Sequence, residues 1–345
     1  MKKLISIFLI LTLILLSFLV TGCSGKEKFT DYSFDYFDTI TTIIGYENNA
    51  DTFSENCQKI KGWLLEYHQL YDIYTTYDDT VNLCVINRSQ GETLEVDPKI
   101  IELLEFAKEL YSKNQKLNVA MGSVLSLWHD YREFGINHPE DAALPNVYDL
   151  ENAANHINFD DVIIDSKNNT VLIEDSELTL DVGAIAKGFA AEKVAEKMLK
   201  NGMKGYLLNL GGNVKTVGKR QGNQKWTVGI ENPDKSSADA FVAELSLGAN
   251  MSLVTSGTYQ RYFTVDGKNY HHIIDSATLY PAEYFTSVSI LCEDSGLADG
   301  LSTLLFCLPY EEGKQIIEST EGAHALWITT DGEKLYSKDF KKFIK

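Results

Sequence analysis

Leu180-Asp181-Val182-Gly183-Ala184-Ile185-Ala186-Lys187-Gly188-Phe189 reads as a strand that passes through a glycine into a helix with a lysine in its first turn. The helix continues from Ala184 to about Leu199, where Asn201-Gly202 supplies a C-terminal cap. Upstream, Val162 to Ile164 and Thr170 to Ile173 are short strands joined across Lys167-Asn168-Asn169, and Leu178 to Leu180 reads as another. Downstream, Tyr206 to Leu210 is a strand ending in Gly211-Gly212. Strands near Trp226 to Ile230 and Ser287 to Leu291, a helix from about Ser295 and a hairpin turning at Asp331-Gly332 complete the pattern. These elements predict an α+β fold, a single large domain with a mixed or antiparallel sheet core flanked by helices.

The N-terminal half fits the same class. Tyr36 to Gly45 is rich in β-branched residues and reads as a strand. Phe53, Cys57, Ile60, Leu64, Tyr67, Tyr71 and Tyr74 recur at spacings of four and three, which is one apolar helical face. Asp97 as N-cap and Pro98 in the first turn announce a second helix, with Ile101, Leu104, Ala107 and Tyr111 behind them. Leu117 to Arg132 has a mixed pattern, and a loop-like stretch follows around His138-Pro139-Glu140-Asp141.

The chain begins with Lys2 and Lys3, an apolar run from Leu4 to Val20, and then Thr21-Gly22-Cys23. That order is an export signal of the lipoprotein type, with cleavage before Cys23 and acylation of its thiol. An uncleaved membrane anchor is the competing reading. Either way the remaining chain is expected outside the cytoplasm: 1–22 as signal peptide, 23–35 as polar tether, 36–345 as the folded domain. The net charge is -18, and loss of Lys2 and Lys3 makes the mature chain more acidic still. Such a surface disfavours nonspecific binding of nucleic acid. Apart from Cys23, the cysteines Cys57, Cys84, Cys292 and Cys307 are widely spaced among apolar residues, with no C-x-x-C pair, so buried free thiols are expected, with one bridge as the alternative.

Four segments could carry chemistry. At Gly183 to Gly188, free N–H groups at a helix start and the Lys187 ammonium make a seat for phosphate, although the same glycines would also serve simply to pack strand on helix. Asn209-Leu210-Gly211-Gly212-Asn213 is a turn that brings backbone close to a ligand, or an ordinary strand turn. It lacks the G-x-G-x-x-G order, which argues against dinucleotide binding by the Rossmann route. In the third segment, Thr255 to Arg261 is followed by Tyr270-His271-His272-Ile273-Ile274-Asp275. Adjacent histidines on a strand face opposite ways, which argues against a paired-histidine metal site and leaves one histidine near Arg261 and Asp275 either as a proton acceptor or as a buried, hydrogen-bonded structural residue. The last is Ala298-Asp299-Gly300-Leu301-Ser302-Thr303, where Asp299 and Thr303 share one helical face and offer the oxygen donors that suit Mg²⁺. Alone, Asp299 could be no more than a helix N-terminal acid.

In this order the segments resemble the ApbE-like flavin transferases, the FAD:protein FMN transferase family. The resemblance rests on LDVGAIAKG from Leu180, NLGGN from Asn209, SGTYQRYF and YHHIID between Ser256 and Asp275, and ADGLST from Ala298. FDT at Phe37 to Thr39 and the stretch ending in Ile86-Asn87 extend it over nearly the whole mature chain. It implies an ApbE-like, T-fold-related domain that uses Mg²⁺ to transfer the FMN moiety of FAD to a threonine or serine hydroxyl of a target protein, releasing AMP. It further implies that the Ala184 carbonyl, Asp299, Ser302 and Thr303 hold the metal, that Lys187 and Asp181 contact FAD, and that His272 is the base. Phe37, Thr39, Tyr77, Asn118, Gly211, Gly212, Arg261 and Ile273 would complete the FAD pocket, with Tyr77 stacking on a ring. A lipid anchor and an acceptor within a membrane redox complex are also expectations from the family. Two departures stand out: Asn118 falls where many relatives carry an acid, and the DP-x-TG turn is here Asp275-Ser276-Ala277-Thr278-Leu279-Tyr280-Pro281. The competing activities are an FAD pyrophosphatase using the same residues and a flavin-binding lipoprotein for uptake.

Overall fold

The computed structural model describes residues 25–345, so Cys23 and the apolar leader lie outside the described residues. Two antiparallel strands open it, β1 (Glu27–Tyr36) and β2 (Thr39–Glu47). The stretch 23–35, expected as a polar tether, is therefore strand from Glu27 onward. Its inward positions are Phe29, Asp31 and Ser33, only one of them apolar, so the alternation that announces a strand is missing. The expected strand from Tyr36 to Gly45 is also broken, because Phe37 and Asp38 take φ of 54° and 49° and turn the chain.

Helix α1 (Ala50–Tyr71) is capped by the Asn49 side chain, which accepts from the Thr52 N–H at 2.8 Å, and it buries the expected face through Ile60 and Leu64. It stops before Tyr74, because Asp72 is extended. A short helix α2 (Leu83–Ile86) and strand β3 (Leu94–Glu95) lead to α3 (Pro98–Lys113), where Asp97 accepts from the Lys99 N–H at 2.8 Å as its N-cap. The mixed stretch after Leu117 becomes α4 (Gly122–Asn137), followed by α5 (Val147–Ala153). Strands β4 (Val162–Asp165) and β5 (Thr170–Ile173) form a small antiparallel sheet with β3.

Leu178 to Leu180 is not a strand. Leu180 finds its partner in the Asn87 side chain instead, which donates to the Leu180 carbonyl at 2.8 Å and accepts from its N–H at 2.7 Å. An amide side chain reproduces the bonds of a neighbouring strand, so a strand-like sequence stays extended without joining a sheet.

The remaining elements are α6 (Ala186–Lys200), β6 (Tyr206–Leu210), β7 (Asn213–Val217), β8 (Trp226–Glu231), β9 (Phe241–Leu247), β10 (Ser252–Gly257), β11 (Tyr262–Val265), β12 (Lys268–His271), β13 (Phe285–Cys292), α7 (Ser295–Phe306), α8 (Tyr310–Ser319), β14 (His324–Thr329) and β15 (Lys334–Tyr336). The main sheet has eight strands in the order β1-β2-β6-β7-β10-β13-β14-β15, and every neighbouring pair is antiparallel. Its residues alternate between two cores. Tyr206, Leu208, Val254, Ile290 and Trp327 join the core that also holds α1, α6 and α7 residues. Leu207, Leu253, Leu291 and Leu326 pack with the β8–β9 hairpin and Phe340 on the opposite face. Burial of each such side chain contributes roughly 1.5–3 kcal/mol. Cys57, Cys84, Cys292 and Cys307 are buried free thiols.

A third, smaller core packs α4 against the β11–β12 hairpin through Val124, Trp128 and Phe263. The Trp128 indole donates to the Leu279 carbonyl at 2.8 Å and so pins the turn after Asp275 to the helix. A cavity opens between this small core and the helix-covered end of the main sheet.

Candidate active site

The cavity holds about 450 Å³ and draws its walls from segments far apart in sequence. One wall is the β1–β2 turn with Phe37 and Thr39, set beside Gly211 of the β6–β7 turn. Gly211 has φ of +58°, and a Cβ there would stand 2.0 Å from Thr39 Oγ1, so only glycine lets the two turns touch. The Gly211 N–H donates to the Ile40 carbonyl at 3.2 Å and locks the contact.

The floor is the meeting of α6 and α7. Asp299 is buried on α7, and its Oδ2 accepts from the Gly188 N–H at 2.8 Å. In a regular helix that N–H would donate to the Ala184 carbonyl; no such bond forms, and the Ala184 oxygen is left without a backbone partner at the cavity wall. Gly188 is required by this approach, because a Cβ would lie 2.2 Å from the Ser295 carbonyl and 2.5 Å from Asp299 Cβ. Thr303, one turn beyond Asp299, also lines the cavity.

Burial pushes the Asp299 carboxyl up, and the nearby Lys187 ammonium, the Gly188 N–H and the Asn213 amide offset part of that push. Asn213 approaches without closing a well-formed bond, and its Nδ2 stays unpartnered. Burial also raises Asp181, against the opposing pull of the Gly183 N–H, His129, Lys187 and Arg132. The Lys187 ammonium curls back and donates to the Gly183 carbonyl at 3.3 Å. Asp299 and Asp181 thus stand as desolvated carboxyls on one cavity, each held above its ordinary range.

Across the cavity, His272 follows β12 while His271 turns inward and bonds the Ala282 carbonyl at 2.9 Å. His272 Nδ1 lies 3.2 Å from the Arg261 carbonyl. A carbonyl can only accept, so Nδ1 carries the proton and Nε2 keeps its lone pair. Burial and then the Arg261 charge lower its pKa from 6.5 to about 3, so the ring is neutral and available as a proton acceptor.

The expected residues Phe37, Thr39, Asn118, Asp181, Ala184, Lys187, Gly211, Arg261, His272, Ile273, Asp299 and Thr303 all line this one cavity. Ser302, Gly212 and Tyr77 do not. The Ser302 hydroxyl is engaged with Ser256 Oγ at 2.7 Å and the Asp299 carbonyl at 2.8 Å. The Gly212 N–H is held by Asn209 Oδ1 at 2.9 Å. Tyr77 stands a layer back, its hydroxyl donating to Asp72 Oδ2 at 2.7 Å next to His68. Asn118 uses its amide structurally, donating to the Ile157 carbonyl and accepting from the Ala120 N–H, both at 2.8 Å.

The cavity also contains groups the sequence did not announce. Tyr74 stacks on His129 with ring centroids 5.1 Å apart, and Arg132 Nη2 lies 2.9 Å from His129 Nδ1. The i, i+3 spacing of His129 and Arg132 signals a shared helical face, but only once α4 is known to be a helix. His68, whose Nδ1 accepts from the Phe37 N–H at 3.2 Å, was hidden because it sits in the polar gaps of the α1 pattern.

Comparison with known proteins agrees with this geometry. The model of the ApbE family matches residues 37–327. The FAD:protein FMN transferase of Treponema pallidum is 30% identical over 334 residues, covering 90% of this chain and 88% of that protein. That of Klebsiella pneumoniae is 29% identical over 282 residues, covering 78% and 84%. The crystal structure of the ApbE protein from Thermotoga maritima superposes with a TM-score of 0.80 at 25% identity, over 92% of this chain and 100% of that one.

Proposed function

This chain belongs to the ApbE family, and on that ground we propose that it is a transferase that takes FAD as substrate and passes the FMN half to a threonine or serine hydroxyl of another protein, releasing AMP. The reading rests on one cavity whose lining combines Ala184, its carbonyl without a backbone partner, with Asp299, Lys187 and His272.

The oxygen donors among these groups suit Mg²⁺. A freed carbonyl, a carboxylate with one oxygen committed to Gly188, and the Thr303 hydroxyl are hard oxygen donors of the kind the ion takes. Among the described residues no three His, Cys, Asp or Glu side chains cluster for a softer metal. We assign Ala184, Asp299 and Thr303 as the holding set; Ser302 enters it only if its bond to Ser256 opens. When bound, Mg²⁺ would neutralise diphosphate oxygens and the charge that gathers on departing AMP.

The chain's own groups do the rest. Lys187 and the α6 start supply positive potential that needs no reorganisation during reaction. Arg132 and Arg261 extend that field from α4 and the hairpin. Nε2 of His272 takes the proton of the acceptor hydroxyl as its oxygen bonds to the flavin-side phosphorus. The bond from that phosphorus to the bridging oxygen breaks, and AMP leaves with the electron pair. Flavin fluorescence that stays with the acceptor band through denaturing electrophoresis, with an equal yield of AMP, tests this reading; AMP and free FMN with a dark band would indicate an FAD pyrophosphatase.

We also propose export and lipid anchoring at Cys23, which puts the enzyme outside the cytoplasm next to an acceptor in a membrane redox complex. Support comes from Lys2-Lys3, the apolar run and the Gly22-Cys23 junction. Among the described residues no helix is long and apolar enough to cross a membrane. A mature chain that begins at Cys23 and carries a diacylglyceryl mass on it would support the anchor, and a membrane-bound chain that keeps residues 1–22 would count against it.

A further inference from the structure

Asp299 does not stand alone on α7. One turn earlier, the Ser295 N–H donates to Glu192 Oε2 at 2.7 Å, and Glu192 lies one turn beyond Gly188 on α6. Two contacts therefore tie the helices in opposite senses. At one, an α6 backbone N–H grips an α7 side chain; at the other, an α6 side chain grips an α7 backbone N–H. Residues four apart share a helix face, so both contacts lie on the same seam.

Lys215 completes the second contact. This lysine is buried on β7, with its ammonium 2.8 Å from Glu192 Oε2, 2.6 Å from the Glu293 carbonyl and 3.3 Å from the Asn250 carbonyl. It neutralises a carboxylate that burial would otherwise disfavour, and it binds the segment just before α7 to the central strand. The Ser295 N–H is one of the orphan donors of a helix start, and a carboxylate there is favoured by both hydrogen bond and helix dipole. None of these groups lines the cavity, yet together they tie the first turn of α7, one turn before Asp299, to α6 and β7.

We infer that Glu192 and Lys215 are positioning residues for the metal site: they hold the first turn of α7 in the register that brings Asp299 to Ala184. The inference rests on the reading of Asp299 and Ala184 as metal-holding groups. Outer partners of metal ligands are worth roughly 10–100-fold in metal affinity.

The test is binding of Mn²⁺ to the full chain, followed by the electron paramagnetic resonance of the free ion, with thermal melting measured alongside. Glu192→Ala removes the acceptor and is expected to weaken Mn²⁺ binding by about tenfold or more. Ser295→Pro deletes the donated N–H at the first residue of α7, a helix position that tolerates proline, but it also changes a fully buried side chain, so its thermal melting is read first; where it folds as wild type does, it is expected to weaken binding similarly. Glu192→Gln keeps an acceptor oxygen for Ser295 and is expected to bind closer to wild type than Glu192→Ala. Variants that melt lower but bind Mn²⁺ as wild type does would overturn the positioning role. A wild-type chain whose Mn²⁺ binding is absent, or is unchanged in Asp299→Asn, would overturn the metal reading itself and the inference with it.

Discussion

The Gly188 N–H donates to Asp299 Oδ2 across 2.8 Å, and the Ala184 carbonyl it would otherwise serve is left open to the cavity. The bond from this first-turn N–H holds a buried carboxylate, and the Ala184 carbonyl, without a backbone partner, belongs to the same cavity lining. Several consequences can be measured.

Gly188→Ala places a methyl within 2.2 Å of the Ser295 carbonyl and 2.5 Å of Asp299 Cβ. Neither neighbour is the tip of a flexible chain, so α6 and α7 must separate. The expected cost is about 1–3 kcal/mol of stability, read by denaturant unfolding, together with loss of transfer. A variant as stable and active as wild type would show that the close approach is not needed.

Asp299→Asn should separate stability from function. The carboxyl is raised chiefly by burial, so the metal-free protein spends stability at neutral pH to keep it ionised. The amide keeps an acceptor for the Gly188 N–H without a charge to bury. The melting temperature of the metal-free protein is expected to rise while Mg²⁺-dependent turnover disappears. A lower melting temperature would mean that the charge itself stabilises the fold.

His272→Ala is expected to lower transfer by roughly 10²–10⁴-fold while FAD binding persists. In the free enzyme the ring has a pKa of about 3, so its protonation should not limit kcat/KM between pH 5 and 8. Arg261→Gln removes a repelling charge and should move the His272 titration upward, followed by NMR of the imidazole. The unfolded chain binds this proton near the ordinary 6.5 and the folded chain does not, so stability falls as pH drops from there towards 3. Wild type should lose more stability over that window than His272→Ala; equal losses would remove the buried neutral ring from the explanation.

Gly211→Ala, at φ +58° and facing Thr39 Oγ1 at 2.0 Å, is expected to be destabilised by about 1–3 kcal/mol. Adding Thr39→Ala should relieve the contact but not the strained backbone. Partial recovery in the double variant, measured by thermal melting, is the expected outcome, and none would place the whole cost in the backbone.

Much of this arrangement was legible in the residue order. The α+β class, the caps at Asp97 and Asn201 and the strands β4, β5 and β6 follow from periodicity and turn chemistry, and the cavity unites LDVGAIAKG, the Gly211 turn, His272 and Asp299 as the resemblance implied. What stayed hidden was set by tertiary partners. β1 buries polar residues inward, so no alternation marks it. Leu178 to Leu180 has a strand's composition, but Asn87 occupies the place of a neighbouring strand. Tyr74 reaches the cavity only because α1 ends early, and Ser302 is drawn off by Ser256, a residue 46 positions away. A periodic pattern records which face is buried; it does not record which of two hydroxyls on one helix has already found a partner.

The most direct test of the central claim is the mass of an acceptor protein or threonine-containing peptide after incubation with the full chain, FAD and Mg²⁺. The expected result is a gain equal to FMN less one water on a threonine or serine, matched by AMP and absent with Asp299→Ala. An unmodified acceptor in a mixture that has released AMP and free FMN would contradict it.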